Sequence, residues 1–276
     1  MEDDPLLGQL IVPFNKSLLK EVNIEESYDI VLIGFAEDRG CIENGGRAGA
    51  NLAPDAVRSL LRKTGPLVNM ELNIDLRSLS VADFGNVNGF HDGLHNVVKI
   101  ISRDSIPIII GGSNDQSFPN ALGLMQNYPD LEVINIDAHL DVRPGMGHSG
   151  SPFRELILTD SFKGKLTEFA CQGNQCSASH AQWALNHGVK IHWLSKINSL
   201  TFTKEIAAKD NGELFGSISI TDVASFLAEQ EISVEKKMIK LGEKIKISGN
   251  HKVEIDLHPE ISCSLNIEIL SPKSSL

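Results

Sequence analysis

Residues 133–143 read VINIDAHLDVR, an apolar run that ends in two aspartates and a histidine at alternate positions. Alternate side chains of an extended chain point to the same face, so Asp137, His139 and Asp141 are expected to share one face. Two carboxylates and an imidazole are ligands that suit Mn²⁺ or a similar divalent ion. The structural alternative is that Asp137 caps the next element and that Asp141 pairs with Arg143, because so short a motif also occurs without a metal.

Other apolar runs rich in β-branched residues recur along the chain and are typical of strands. Including the run above, they lie at 29–35, 79–85, 106–112, 132–138, 166–172, 190–196, 213–220 and 252–257. Helical spacing of apolar residues is found between them, at 54–63, 93–103, 116–126, 151–158, 178–186 and 233–245. This alternation predicts an α/β fold with one open, mostly parallel sheet. The stretch 222–232 has no readable pattern.

The organisation of the chain predicts one domain, because no linker, repeat or low-complexity tract interrupts the 276 residues. We expect this domain to span 1–276, with 1–27 as an N-terminal extension and 271–276 as a frayed tail. Acidic residues outnumber basic ones by 36 to 25, and the net charge of −11 argues against a nucleic acid partner. An acidic start and the lack of a long apolar segment predict a cytoplasmic protein without a membrane partner.

Two pairs of residues with metal-binding chemistry have structural alternatives. Cys171 and Cys176 form an isolated C-x4-C, which fits a zinc half-site or a redox pair but more often marks two thiols in a core or loop. His91 and His95 have the i, i+4 spacing of a helical metal site. Surface histidines without a third ligand are more common at this spacing.

Seven segments of the chain resemble, in order, the ureohydrolase family of arginase, agmatinase and formiminoglutamase. They are GRAGANLAPDAVR (46–58), DFGNV (83–87), IIIGGSND (108–115), NIDAHLDVRP (135–144), HSGSPFREL (148–156), FGSISITDV (215–223) and EIDLHPEI (254–261). The arginine after the aspartates and the SGSPFR segment are most similar to formiminoglutamase or to arginase-like proteins near it. The fold that this resemblance implies is a three-layer α/β/α sandwich around a parallel sheet of about eight strands.

The resemblance implies a pair of Mn²⁺ ions, held by six protein ligands, that activate a hydroxide. The hydroxide attacks a guanidino or formimino carbon and releases urea or formamide. Asp137, His139 and Asp141 match the central ligands of that site.

The remaining three ligand positions differ from the family pattern. Asn114 stands where the family has a histidine, with Asp115 beside it. Ser219 and Thr221 stand where the family has two aspartates, and Asp222 is one position out of phase. A shift of one residue turns a strand side chain to the opposite face, so Asp222 is not expected to substitute. We therefore expect Mn²⁺ to be absent or bound as a single ion, with Asp115 as a further candidate ligand.

Residues around the predicted pocket match the family better than the metal ligands do. By resemblance, His148 and Asp256 are candidate catalytic residues, and Arg143, Ser149, Ser151 and Asp256 are candidate substrate-binding residues. The alternative for each is a loop or capping role, and Ser151 is placed to cap a helix.

Three functions remain open at this point. The first is a ureohydrolase-like protein with an incomplete manganese site, little or no arginase activity and a pocket for a small guanidino or amino acid ligand. The second is an active metal-dependent hydrolase of linear amidines. The third is a non-catalytic structural subunit, because relatives usually form trimers and a homo-oligomer is therefore expected. Whether the chain is an enzyme is left open, because a family fold does not guarantee the family chemistry.

Overall fold

The computed structural model of the chain describes residues 5–16, 27–71, 73–230, 232, 234–258 and 261–271. These residues form two compact units. The first unit contains residues up to 135, 140–167 and 178–190, and the second contains 136–139, 168–177 and the chain from 191 onward. The prediction of one domain over 1–276 stays a prediction, because compact units need not fold independently.

The helices and strands alternate over most of the chain. The described α-helices are α1 (Leu7–Leu10), α2 (Arg39–Glu43), α3 (Ala53–Leu61), α4 (Phe90–Ile101), α5 (Ser117–Met125), α6 (Pro152–Ile157), α7 (Ala178–Asn186), α8 (Leu194–Ser199) and α9 (Ile220–Glu229). The described strands are β1 (Ile11–Pro13), β2 (Ile30–Gly34), β3 (Val68–Asn69), β4 (Ile74–Asp75), β5 (Val81–Asn86), β6 (Ile106–Ile110), β7 (Glu132–Ile136), β8 (Lys165–Cys171), β9 (Lys190–Trp193), β10 (Thr201–Glu205), β11 (Glu213–Ile218), β12 (Ile239–Lys240), β13 (Ile245–Ile247), β14 (Gly249–His258) and β15 (Ile261–Leu270). None of the helices in these residues is both long and apolar enough to span a membrane.

A parallel sheet forms the centre of the first unit. Its strand order is β1-β5-β2-β6, and Ile30 of β2 lies opposite both Val81 of β5 and Ile106 of β6. The β2 side chains are buried on both faces, which is typical of a parallel sheet covered by helices. Leu94 and Val98 of α4 pack in the same core. The predicted α/β class is confirmed, and β1 shows that part of the predicted N-terminal extension belongs to this sheet.

The second unit is built mainly around an antiparallel hairpin. Strands β14 and β15 pair along nearly their whole length, within a sheet of order β10-β15-β14-β12. Strand β11 pairs antiparallel with β13. The predicted strands at 213–220 and 252–257 therefore exist, but they are not strands of a parallel sheet.

A further sheet of three strands has the order β7-β8-β9, and the chain passes from one unit to the other within each of these strands. The predicted helices at 54–63, 93–103, 116–126, 151–158 and 178–186 correspond to α3 to α7.

The predicted helix at 233–245 is wrong. Its described residues contain a single 3₁₀ turn, Lys236–Met238, followed by β12 and the start of β13. The helix of this region is instead α9, which occupies most of the stretch that had no readable pattern.

Candidate functional site

Asp137 and His139 contact each other directly after strand β7. The Oδ1 atom of Asp137 accepts the backbone N–H of His139 at 2.7 Å and lies 2.9 Å from Nδ1 of the same residue. Donation from Nδ1 leaves the lone pair of Nε2 available, which is the arrangement of a metal-binding histidine whose other nitrogen is held by a carboxylate. Both side chains are about half exposed, so this pair is open to a ligand.

The backbone between these two residues is fixed by residues 169–176. The N–H of Asp137 donates to the Phe169 carbonyl at 3.2 Å, and the N–H of Gln172 donates to the Ala138 carbonyl at 2.9 Å. The thiol of Cys176 donates to the Ala138 carbonyl at 3.3 Å, and the thiol of Cys171 donates to the carbonyl of residue 139 at 3.6 Å. Four hydrogen bonds thus hold residues 137–139, which we call the 137–139 segment.

Asp141 and Asn114 meet in the first unit. The Asn114 Nδ2 group donates to Asp141 Oδ2 at 2.7 Å and to the Ser149 carbonyl at 3.1 Å. The Asn114 Oδ1 atom accepts from Ser117 Oγ at 2.9 Å. Asp141 has a positive φ of 45°, a conformation that aspartate tolerates better than most residues. Asn114, which stands where the family has a histidine, therefore donates to Asp141, a predicted metal ligand.

Asp115, considered above as an additional ligand, is turned inward. Its side chain is 1% exposed, lies 2.5 Å from His91 Nε2 and accepts a hydrogen bond from Ser113 Oγ. The His91 ring stacks on Phe90. His91 is thus engaged by a carboxylate. Of the two interpretations of the His91 and His95 spacing, the metal pair was the less favoured one and surface histidines the more favoured one. The His91–Asp115 contact was missed, since no sequence pattern connects a helix residue to a loop residue 24 positions later.

Arg143 and Ser149 are connected by Asn44, a residue that no sequence pattern singled out. Arg143 Nη1 donates to Asn44 Oδ1 at 3.0 Å, and Asn44 Nδ2 donates to Ser149 Oγ at 3.0 Å. These two hydrogen bonds bring the Arg143 guanidinium and the Ser149 hydroxyl into one polar cluster. Such a cluster has the donors that a carboxylate ligand requires.

His148 and Ser151 make their hydrogen bonds within their own loop. The N–H of Gly150 donates to His148 Nδ1 at 3.2 Å, which implies that Nε2 carries the proton and donates to the Pro144 carbonyl at 3.1 Å. Ser151 is fully buried, and its hydroxyl oxygen lies 2.5 Å from Glu155 Oε1, to which it donates, and 2.9 Å from the carbonyl oxygen of residue 148. Ser151 stands at the N-cap position of α6, but its side chain makes no capping hydrogen bond.

His180, which lies in the first unit, has a perturbed pKa. Its pKa is lowered first by burial and then by the positive charges of Arg143 and Arg154. All three side chains belong to the first unit. A neutral imidazole is therefore favoured at this position.

The structure contradicts the predicted strand end at Ser219 and Thr221. Ser219 is the N-cap of α9, and Thr221 lies in its first turn. The Asp222 carboxylate accepts from Ser219 N at 2.8 Å, from Ser219 Oγ at 2.6 Å and from Lys204 Nζ at 2.9 Å. These bonds, with that of the serine hydroxyl first, hold the pKa of Asp222 well below its ordinary value. Residues 219–222 form a capping box rather than a metal-binding strand end.

Asp256 is also placed differently from the prediction. It lies in β14 opposite Ser262 of the antiparallel strand β15, and its carboxylate is 3.3 Å from Lys240 Nζ. It therefore lies in an antiparallel hairpin, whereas the resemblance implied a place in a substrate pocket. Pro259, which belongs to the same matched segment 254–261, lies outside the described residues.

The predicted metal ligands present suitable donors, but no assembled site is visible. Among the described residues, no group of three or more histidine, cysteine, aspartate or glutamate side chains is arranged to hold a metal ion. The oxygen and imidazole donors of Asp137, His139 and Asp141 fit Mn²⁺ in type. Their roles, and those of the predicted catalytic and substrate-binding residues, stay predictions.

Comparison with known proteins gives the family. A model of the "Arginase family" matches residues 28–221, about 70% of the chain. The chain belongs to the arginase family. A second model, "Ribosomal protein L9, C-terminal domain", matches residues 192–271 and so overlaps the first over 192–221. Residues 254–261, one of the segments that suggested a ureohydrolase, lie outside the arginase family match.

Relatives of this arginase family member place it near the formiminoglutamases. It is 35% identical over 167 residues to a formimidoylglutamase from Macrococcus caseolyticus. The matched region covers 55% of this chain and 51% of the relative. The chain spans about half the length of the curated relatives that it matches. The chain is also similar to Trypanosoma cruzi formiminoglutamase, as seen in its crystal structure with Mn2+2. The two sequences are 39% identical, the match covers 74% of this chain and 75% of the relative's chain, and the TM-score is 0.61. An N114H variant of that protein with Mn2+2 is 38% identical over 73% and 74% of the two chains, with a TM-score of 0.61.

These findings confirm the resemblance to ureohydrolases of the formiminoglutamase branch. They also suggest manganese as the metal, because the two Trypanosoma cruzi structures described above contain it.

Proposed function

We propose that this arginase family member is a formiminoglutamase-like protein with an incomplete manganese site and little or no hydrolytic activity. The retained ligands are Asp137, His139 and Asp141. When bound, manganese would supply an activated hydroxide for attack on a formimino or guanidino carbon. The observation that carries the proposal is the capping box at residues 219–222.

The capping box uses the atoms that a second pair of ligands would need. Both oxygens of Asp222 accept hydrogen bonds, and the Ser219 hydroxyl takes part in the cap. Metal binding by Asp222 would leave the first turn of α9 without its cap and Lys204 without its partner. Thr221 offers only a neutral hydroxyl, a weak ligand for a divalent ion. With few anionic ligands, a two-ion cluster is not expected to persist.

The ligand that we propose for the pocket is a small molecule with a carboxylate, such as an amino acid with a guanidino or formimino group. Arg143 and Ser149 would bind its carboxylate, because Asn44 holds both side chains in one cluster. Buried Ser151 would support this loop through Glu155 rather than contact the ligand itself. The expected homo-oligomer stays a prediction.

A second candidate function is an active manganese-dependent hydrolase of linear amidines. It is favoured by the Trypanosoma cruzi relative, which has a structure with Mn2+2 and in which an asparagine was replaced by histidine in a separate variant. An asparagine is thus present in a relative that contains manganese. In this chain Asn114 would have to ligate through Oδ1, and that atom would then give up the hydrogen bond from Ser117.

Metal content and hydrolysis together separate the two candidates. The purified protein would be dialysed against Mn²⁺ and its bound metal measured by elemental analysis, beside Asp137→Ala and the control Asp160→Ala. Asp160 is an exposed aspartate in the same unit as Asp141. The proposal expects a single ion that is lost in Asp137→Ala and kept in the control.

The same preparations would be assayed for formamide release from formiminoglutamate and urea release from arginine. The proposed function expects no release above the level of Asp137→Ala. Two ions per chain together with formamide release would refute it and support the second candidate. Protein without any metal would contradict the second candidate and would show that the incomplete site of the first does not hold even a single ion.

A further inference from the structure

The first unit contains a cavity that shares no lining residue with the candidate functional site. Its volume is about 310 Å³, and it is lined by residues of α1, β1, β2, α3 and β5 and of the segment that follows β1. Small-molecule sites in proteins begin at about this size. The cavity is therefore large enough for a ligand with a single ring and a short side chain.

Most of the residues that line this cavity are apolar. They include Ile11, Phe14, Leu32, Leu61 and Phe84. Leu32 and Phe84 are each only 7% exposed, and the ring centroids of Phe14 and Phe84 are 5.6 Å apart. Apolar and aromatic walls of this kind favour a ligand with a hydrocarbon or aromatic body.

The charged residues at the cavity are mostly cationic. Among the described residues that line it, three are cationic and one is acidic: Lys16, Arg58, Arg62 and Asp83. Arg58 donates to both carboxylate oxygens of Asp83, at 2.8 and 3.0 Å, and to Asn86 Oδ1 at 2.6 Å. These hydrogen bonds compensate its charge and use most of its donors. The positive charge available to a ligand is therefore that of Lys16 and Arg62.

Lys16 and Arg62 are both exposed, and neither forms an ion pair with a carboxylate in the described part of the chain. The Nζ atom of Lys16 lies 4.8 Å from the centroid of the Phe84 ring, so a cation–π contact holds this charge beside an apolar residue of the cavity. Two such cations at one cavity contrast with the net charge of −11 of the whole chain. They favour an anionic ligand.

The position of Arg62 favours a carboxylate over a phosphate. Arg62 is the C-cap residue of α3, where the last backbone carbonyls leave a partial negative charge. This charge repels a doubly charged phosphate more strongly than a singly charged carboxylate. The planar guanidinium also matches the two oxygens of a carboxylate.

We propose that this cavity is a binding site for a small aromatic carboxylate. Arg62 and Lys16 bind the carboxylate, and the ring packs among the apolar side chains. The site does not depend on the proposed function, because it uses neither the predicted metal ligands nor the cluster of Arg143, Asn44 and Ser149.

The site is tested with the full-length protein and 3-(4-fluorophenyl)propanoate, whose binding is followed by fluorine NMR. We expect a Kd of about 0.1 mM, which is typical of a ligand of this size. Acetate has the charge without the ring, and 2-phenylethylamine has the ring with the opposite charge. Each should compete at least about tenfold more weakly than 3-phenylpropanoate, because each lacks one of the two kinds of contact.

Two variants place the ligand in the cavity. Arg62→Gln and Lys16→Gln should each raise the Kd by about tenfold, which is the usual effect of losing a hydrogen bond to a charged group. Lys63→Gln is the matched control, because Lys63 is the exposed cation next to Arg62 and does not line the cavity. It should leave the Kd unchanged. Bound ligand should also slow the amide hydrogen exchange of residues 11–14, which belong to β1 and its end.

Arg143→Gln separates this site from the proposed amino acid pocket. We expect it to leave the Kd unchanged, because Arg143 does not line the cavity. Loss of binding in Arg143→Gln alone would overturn the site and support the cluster of Arg143 and Ser149 as the place where carboxylates bind. Absence of binding would also overturn it, as would equal competition by 2-phenylethylamine or a Kd raised as much by Lys63→Gln as by Arg62→Gln.

Discussion

The capping box of α9 predicts a specific pattern of stability changes in the single and double variants of Ser219 and Asp222. In Ser219→Ala the helix loses the hydroxyl that accepts from Asp222 N at 3.3 Å and donates to Asp222 Oδ2 at 2.6 Å. Removal of an N-cap of this kind costs about 1 kcal/mol. In Asp222→Ala the backbone N–H of Ser219 loses its acceptor, and the ion pair with Lys204 is lost as well. We expect about 2 kcal/mol for this variant, since hydrogen bonds to a charged group are stronger than neutral ones.

The double variant distinguishes a cap from two unrelated residues. Because the two side chains share their hydrogen bonds, the double variant should lose about 2 kcal/mol, and the coupling should be about 1 kcal/mol. Thr221→Ala is the matched control, because Thr221 is exposed in the first turn and should change stability by less than about 0.5 kcal/mol.

Urea unfolding followed by circular dichroism would give these free energies. If unfolding occurs in more than one step, hydrogen exchange of the α9 amides would show which unfolding transition belongs to the second unit. Additive losses would refute the shared cap, and so would a Thr221→Ala variant as destabilised as Ser219→Ala.

The same carboxylate predicts how stability depends on pH. Since the pKa of Asp222 is lowered below its ordinary value of 3.8 in the folded chain, the unfolded state binds the proton more readily. The contribution of Asp222 is present in full above the unfolded pKa and is lost as pH falls through the folded one. Wild type should therefore approach Asp222→Ala in stability as the pH falls below about 4. A constant difference down to pH 2 would contradict this reasoning.

Two further predictions concern the first unit and are measured by urea unfolding. Arg58→Met should destabilise it by about 3 kcal/mol, because the mostly buried Arg58 donates to both oxygens of Asp83, at 2.8 and 3.0 Å. Arg77→Met, which removes an exposed ion pair, should cost less than about 1 kcal/mol. Equal losses of stability in Arg58→Met and Arg77→Met would show that burial does not make the Arg58 ion pair more important than an exposed one. Asp115→Asn should also cost about 3 kcal/mol, because it removes a buried charge that His91 contacts at 2.5 Å. A loss below that of Arg77→Met would show that the buried contact contributes little.

The parallel sheet of the first unit could be predicted because its strands are apolar on both faces and alternate with amphipathic helices. The second unit could not be predicted in the same way, since the apolar period of a strand is the same in parallel and antiparallel sheets. The segment 252–257 was correctly predicted as a strand, but its hydrogen-bonding partner is β15. Helix α9 was missed although S-x-x-D at 219–222 is a capping signal, because Ser219 was assigned to the end of the preceding strand.

The site was predicted from residue types, their spacing and the family resemblance, and these do not reveal which other groups a side chain contacts. The D-x-H-x-D spacing predicted that Asp137 and His139 share a face, and in the structure their side chains contact each other. It gave no sign that Asn44 connects Arg143 to Ser149, because Asn44 is about 100 positions away from both in sequence. Such contacts depend on the tertiary structure.

The number of metal ligands in a sequence is therefore an upper limit on the number available to a metal. Asp115 and Asp222 are both carboxylates next to expected ligand positions; Asp115 was a candidate ligand, and Asp222 was not expected to substitute because it is one position out of phase. In the structure Asp115 accepts from Ser113 and contacts His91, while Asp222 caps α9. Each would have to break stabilising contacts before it could ligate an ion, and a buried carboxylate would also leave its partners unsatisfied. Both therefore serve the fold, and the proposed metal site is left with the three predicted ligands Asp137, His139 and Asp141.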